Sequence, residues 1–584
     1  MTPALLLVLS LTQALVDIRD LSPREHRVAG FVLSRPQALS LTAVGAEPRP
    51  RRERREDDEQ RAGAWRDDEW TTWPAAAWIL DARTREVVWD LRAADTQRDR
   101  NGVRRFSGTV QLPAGVYEAH YGSFPAEWSW QDRDAVALLR GFVRSRGRGE
   151  RYSGPYIDDG SYKQFTLTIE GDGRASIPAI DSARAAFAAA AIVSLRPGRS
   201  ATARHGFELT RPTAVDVYAI GEFTRDGAFD YAWIINAETR ERVWEMAQEN
   251  SDPAGGAQKN RLVRETLRLP VGRYAAYFVN DDTHDPEEWN AMPAFDPAFW
   301  GLTLRVTDPA ARAAVKPYNY EPVPAGQTIV SLIGVGDRET RSAGFTLRRA
   351  MDVRIYALGE GVGGEMVDYA WIVDAVNHRR IWMMRYENTG HAGGATKNRV
   401  FDGAVRLEPG SYMVHYTSDG SHSFDDWNSS PPAEERYWGV SVFPAAGRLD
   451  SSAVAPFERG PSGSALAQLA RMGDGENARA TFTLEHEANV RIYALGEGDG
   501  QMFDYGWIEE QASGRVVWEM TYRVSDPAGG ARKNRVFEGV IRLPAGTYEL
   551  RYRSDGSHSY EDWNDDPPDD PDGWGISVFR MGDR

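Results

Sequence analysis

The sequence predicts an all-β protein of four tandem antiparallel β-sandwiches, jelly-roll-like in design and joined by short linkers. Three observations predict it: one unit recurs along the chain, apolar residues in that unit alternate with period two, and no stretch of it sustains a 3.6 period. At 584 residues the chain is too long for one core. Its 41% hydrophobic content, with 19 Trp, 23 Tyr and 21 Phe, belongs to packed domains and excludes general disorder.

The repeat opens with VDVYAIGE (215–222), VRIYALGE (353–360) and VRIYALGE (490–497). Next come DYAWI (230–234), DYAWI (368–372) and DYGWI (504–508), then AGGAQKNR (254–261), AGGATKNR (392–399) and AGGARKNR (528–535). A Gly-Tyr turn follows in LPVGRY, LEPGSY and LPAGTY, and then a polar loop, NDDTHDPEEWN (280–290), SDGSHSFDDWN (418–428) and SDGSHSYEDWN (554–564). Each copy closes on a Trp-Gly strand.

An earlier, more divergent copy is visible in AWILDARTREVVW (77–89) and FSGTVQLPAGVYEAHY (106–121), with Pro74-Ala75 read at the place of Asp-Tyr. Of the Lys-Asn-Arg trio this copy keeps only Arg104, and its polar loop lacks the His. The units are expected at 15–172, 187–308, 326–445 and 465–580, with Ala-, Pro- and Ser-rich linkers at 173–190, 308–326 and 444–465. The mixed-charge run 49–69 reads as a solvated insertion.

Strand direction groups the recurring polar elements. If 353–358 runs up and each short link reverses the chain, Glu360, Asp368, the Lys397-Asn398-Arg399 trio and the loop 418–428 all fall at one end. The candidate cluster is therefore Glu360, Asp368, Lys397, Asn398, Arg399, Asp419, His422, Trp427 and Asn428, with Asp425 and Asp426 nearby. Its counterparts are Glu222, Asp230, Lys259, Asn260, Arg261, Asp281, His284, Trp289 and Asn290, and Glu497, Asp504, Lys533, Asn534, Arg535, Asp555, His558, Trp563 and Asn564.

Three readings of the cluster stand. Acids and bases can tie the loops together while Trp427 plugs the end of the sandwich. Clustered carboxylates can hold calcium, for which Asp555, Asp562, Asp565 and Asp566 of the acid-rich last copy are the best candidates. Aromatic faces beside Asp, Asn and His can bind a sugar or another polymer, a polysaccharide or a protein. Trp371 and Trp382 are expected in the core.

No HExxH, GxSxG or GxxxxGK[ST] is present, so no catalytic residue is assigned and an unfamiliar hydrolase is the remotest reading. A net charge of −16 disfavours nucleic acid and anionic membranes as partners. The absence of cysteine excludes disulfides and thiolate metal sites. Residues 1–14, with an apolar run at 4–11 followed by Thr12-Gln13-Ala14, read as a signal peptide, which places the mature protein outside the cell or in the periplasm with no membrane span.

In FTLRRAMDVRIY (345–356), DYAWIVDAVNHRRIW (368–382) and LPAGTYELRY (543–552), the order of elements resembles the bacterial pre-peptidase C-terminal type of β-sandwich. The resemblance implies an exported accessory module and carries over no functional residue. The expected function is thus a non-enzymatic, exported binding or structural protein without a cofactor, calcium aside.

Overall fold

The computed structural model describes residues 13–47, 73–99, 102–124, 161–199, 201–224, 227–281, 284–286, 288–376, 379–446, 448–457, 465–560 and 562–580. The charged insertion 49–69, most of the signal-peptide stretch and residues 125–128 of the first polar loop lie outside these. Gln13 and Ala14 already belong to the first strand, Gln13–Ile18. The chain forms two compact units, 1–320 and 321–584, each built of two β-sandwich modules.

Module three illustrates the design. One sheet runs Val330–Ile333, Gly439–Pro444, Met351–Val362, Asn398–Leu407 and Gly390–His391; the other runs Arg380–Met383, Tyr369–Asp374, Gly410–Thr417, Thr340–Leu347 and Val454–Phe457. The strand pairings between these neighbours are antiparallel. Alternation does what period two dictates: Val353, Ile355 and Ala357 are fully buried between the sheets. Two tyrosines brace the layers, Tyr412 donating to the Glu408 carbonyl at 2.7 Å and Tyr416 to the Leu358 carbonyl at 2.8 Å.

The two sheets meet at one corner. In module two, Glu222 at the end of Thr213–Thr224 pairs with Asp230 of Gly227–Asn236 in the opposite sheet. In modules three and four the amides of Asp368 and Asp504 each donate to the carbonyl of Glu360 or Glu497 at 3.2 Å. The backbones approach so closely here that a Cβ on Gly359 would lie 2.0 Å from the Asp368 carbonyl oxygen, which explains the Gly-Glu ending of each VRIYALGE strand.

Module one makes the same corner with Ala46 and Ala75. The strand register therefore sets Ala75-Ala76 opposite Gly122 and Ser123 and at the place of Asp-Tyr, one residue on from the expected Pro74-Ala75. Phe124 follows its strand as Asp281 follows Gly272–Asn280.

The stretches read as linkers carry structure. Arg174–Ala175, Val315–Tyr318 and Val454–Phe457 each add an outer strand to the preceding module. Residues Ile177–Ala189 form an α-helix, which the linker reading missed. Its Ser176 cap accepts from the Ala179 amide, a proline sits in the first turn, and its Ala-rich body favours the helix.

Within each unit the later module docks on the earlier one through the same contact. The indole of Trp78 donates to the Phe295 carbonyl at 2.7 Å, and that of Trp371 to the Asp569 carbonyl at 2.7 Å. Both indoles stack on a histidine, His120 and His415. Trp371 is thus buried by the next module as well as by its own; the equivalent Trp507 is only half-buried. Trp382 is half-buried against Phe401.

The docking is also ionic in both units: Arg380 pairs with Asp569 in the second, and a larger buried group forms in the first. Arg85 is fully buried between Glu118 and Asp296, and Arg184 of the helix reaches Glu118 as well. Burial pushes the Glu118 carboxyl up, but hydrogen bonds from His120 and Arg184 and the Arg85 charge outweigh it and hold the group far below the usual carboxylate range. Replacing Arg85 by Leu leaves two buried carboxylates without their shared cation. It should cost about 3–5 kcal/mol in denaturant unfolding, with part regained on adding Asp296→Asn.

Candidate functional site

The polar elements converge on the sheet corner in modules two, three and four. At the centre lies a buried Asn-His pair. Asn260 donates through Nδ2 to the carbonyls of Gly255 (2.8 Å) and Met292 (3.0 Å), which turns its Oδ1 toward His284 Nε2 at 2.6 Å. Asn398 does the same with Gly393, Ser430 and His422, and Asn534 with Gly529, Asp566 and His558. Because both amide protons are committed, the Asn oxygen is an acceptor and the imidazole must donate from Nε2.

These contacts require unusual backbone. His284, His422 and His558 all have left-handed φ, at 63°, 59° and 58°, a conformation that costs a non-glycine residue energy and persists where the surroundings enforce it. The AGGA loops come close enough that a Cβ on Gly394 would lie 1.9 Å from the Pro431 carbonyl oxygen, so that glycine is obligatory.

The other imidazole nitrogen, Nδ1, faces the side-chain oxygen of Asn290, Asn428 or Asn564 at 2.8–3.0 Å. The same oxygen accepts from Lys259, Lys397 or Lys533, and that ammonium also pairs with Glu222, Glu360 or Glu497 at 2.9–3.0 Å. Burial pushes each imidazole down, helped by the neighbouring lysine and opposed by the asparagine, to about 4 for His422 and His558.

An aromatic pair seals the group. Trp289, Trp427 and Trp563 are half-buried and stand edge-on to the buried Trp300, Trp438 and Trp574 at 5.0–5.2 Å, with the imidazole against both rings. The second tryptophan of each pair comes from the Trp-Gly strand; its recurrence was visible in the sequence, but its place beside the cluster was not.

The acids form a separate group beside this lattice. Oxygens of Glu222, Asp230 and Asp281 lie within 4.8 Å of one another, as do those of Glu360, Asp368 and Asp419 and of Glu497, Asp504 and Asp555. Asp230 accepts from the Asp281 amide at 2.8 Å and from the Trp300 indole at 3.0 Å. Asp368 and Asp504 accept likewise from the amides of Asp419 and Asp555. Burial, with the neighbouring carboxylates, raises all six inner acids, to about 7 for Glu222 and Asp504.

Not every expected member joins. Arg399 turns to the preceding loop, donating to Thr389 and lying over the Tyr386 ring; Arg261 and Arg535 bind Ser251 and Ser525 in the same way. Lying next to the inward Asn398 on its strand, Arg399 points out of the cluster. Asp425 and Asp426 are exposed. The group containing Asp555 draws on Glu497 and Asp504, not on Asp562, Asp565 and Asp566. Asp565 instead accepts from the Asp566 amide, and Asp566 faces Tyr369 of module three.

No protein-family model matches the chain, and no curated protein matches it either.

The two kinds of buried group predict opposite pH responses. Imidazoles held down to about 4 stabilise the fold above their ordinary value of 6.5, and that contribution is lost as pH falls toward 4. Raised acids contribute stability below their ordinary values, 4.5 for Glu222, which is lost as pH rises toward about 7. Replacing His422 and His558 by Gln should therefore flatten the fall in melting temperature between pH 6.5 and 4, as calorimetric scans at several pH values would record.

Proposed function

We propose that the chain is an exported, non-enzymatic array of β-sandwiches with a binding or structural role at the cell surface or outside the cell, and that the Asn-His-Asn-Lys lattice holds each module's loops in place. One observation carries this reading: the imidazoles and ammonium groups that could do acid–base chemistry are held by neighbouring side chains of the same module. His284, His422 and His558 are fully buried, with Nε2 donating to one asparagine oxygen and Nδ1 walled in by a second asparagine side chain, and each lysine bridges an Asn and a Glu. A general base must reach a substrate proton, and these imidazoles meet only protein. Export rests on the apolar run at 4–11 and on the resemblance to exported accessory sandwiches.

The full chain carrying His422→Ala, Trp427→Ala and Asn428→Ala tests the reading. Removal of a packed tryptophan and a buried imidazole should cost module three about 3–5 kcal/mol or more in a denaturant melt. Unchanged melting, together with lost retention on a polysaccharide resin or lost hydrolytic turnover, would make the cluster a ligand or active site and overturn it.

A further inference from the structure

We propose that modules two, three and four each bind one divalent cation of calcium size between the Glu and Asp of the sheet corner and the first Asp of the polar loop: Glu222, Asp230 and Asp281 in module two, with the equivalent trios in modules three and four. The inference goes beyond the non-enzymatic reading and does not depend on it.

Size comes first. Three oxygens no more than 4.8 Å apart share a centre within about 2.8 Å of each. Calcium–oxygen distances of roughly 2.3–2.6 Å need the trio to tighten by only a few tenths of an ångström, whereas magnesium at roughly 2.0–2.1 Å needs far more and a strict octahedron besides.

An independent observation lies in the hydrogen bonding. The lysine takes one oxygen of each glutamate, and the other, Oε2 of Glu222, Glu360 and Glu497, has no hydrogen-bond partner although these residues are only 1%, 5% and 6% exposed. Oδ2 of the fully buried Asp368 is in the same condition. A buried carboxylate oxygen without a donor is costly and rare, and here the same glutamate atom is left so three times. A hard cation is the partner such oxygens suit.

Charge gives the valence. Three carboxylates and one ammonium leave two negative charges, which a divalent ion neutralises. Asp281 is half-buried and Asp419 and Asp555 are exposed, so the mouth is open for entry and for waters that complete the coordination shell.

Module one supplies a contrast within the same chain. Its three positions are Ala46, Ala75 and Phe124, so the acids are absent together rather than one at a time. That pattern fits a site whose members work only as a set.

Terbium luminescence on the full chain tests this, because Trp300 touches Asp230, Trp574 touches Asp504 and Trp438 holds the equivalent place in module three, so the indoles serve as sensitisers. The expected result is saturable emission from three sites per chain, displaced by calcium at up to millimolar concentration and not by equal magnesium. Asp230→Asn, Asp368→Asn and Asp504→Asn should each remove one site and together remove all. Asp419→Asn, at an exposed position, repeats the test where folding is not at stake. Absence of saturable emission, emission that survives the triple replacement, or a melting temperature unmoved by millimolar calcium would overturn the proposal.

Discussion

Everything at the polar end of a module depends on a backbone constraint: two sheets are joined at a single corner, where one strand leaves its own layer to pair with the other. Pairing at that point leaves no room for a side chain on the preceding residue, hence the glycine, and it sets two neighbouring positions face to face. Whatever occupies them is buried and close together. In three modules they are a glutamate and an aspartate; in the first they are alanines.

The choice at the corner propagates outward. Acids there bring a lysine, an asparagine and a histidine into a hydrogen-bonded lattice, roofed by two tryptophans. Alanines instead allow an apolar filling: Ala76, Trp78 and Phe124 pack with Met292 of module two. Both solutions close the sandwich, one with ordered polar bonds and the other with oil. The polar one ties several loops together, because the central asparagine and the lysine each bond groups from more than one loop.

Much of this was legible in the residues. Period-two alternation marked the strands, and counting reversals from VRIYAL to the polar loop brought Glu360, Asp368, Lys397 and His422 to one end, where they lie. What was lost followed from physics that a linear reading does not carry. Arg399 stands one position from Asn398, and on a strand one position means the opposite face. The helix Ile177–Ala189 was masked by its Ala, Pro and Ser content, which marks loops as readily as helices. Trp371 looked like core because it is apolar and inside a strand, yet the next module helps to cover it.

The outer strands contributed by residues 315–318 and 454–457 also bear on solubility. A bare sheet margin offers a row of amides and carbonyls that any extended peptide can zip onto, and in modules two and three the spacer itself occupies that row. Among the described residues, Asn477–Leu484 of the last module has a neighbour on one side only. Its exposed Arg479 places a charge on that margin, which disfavours pairing with the edge of another chain.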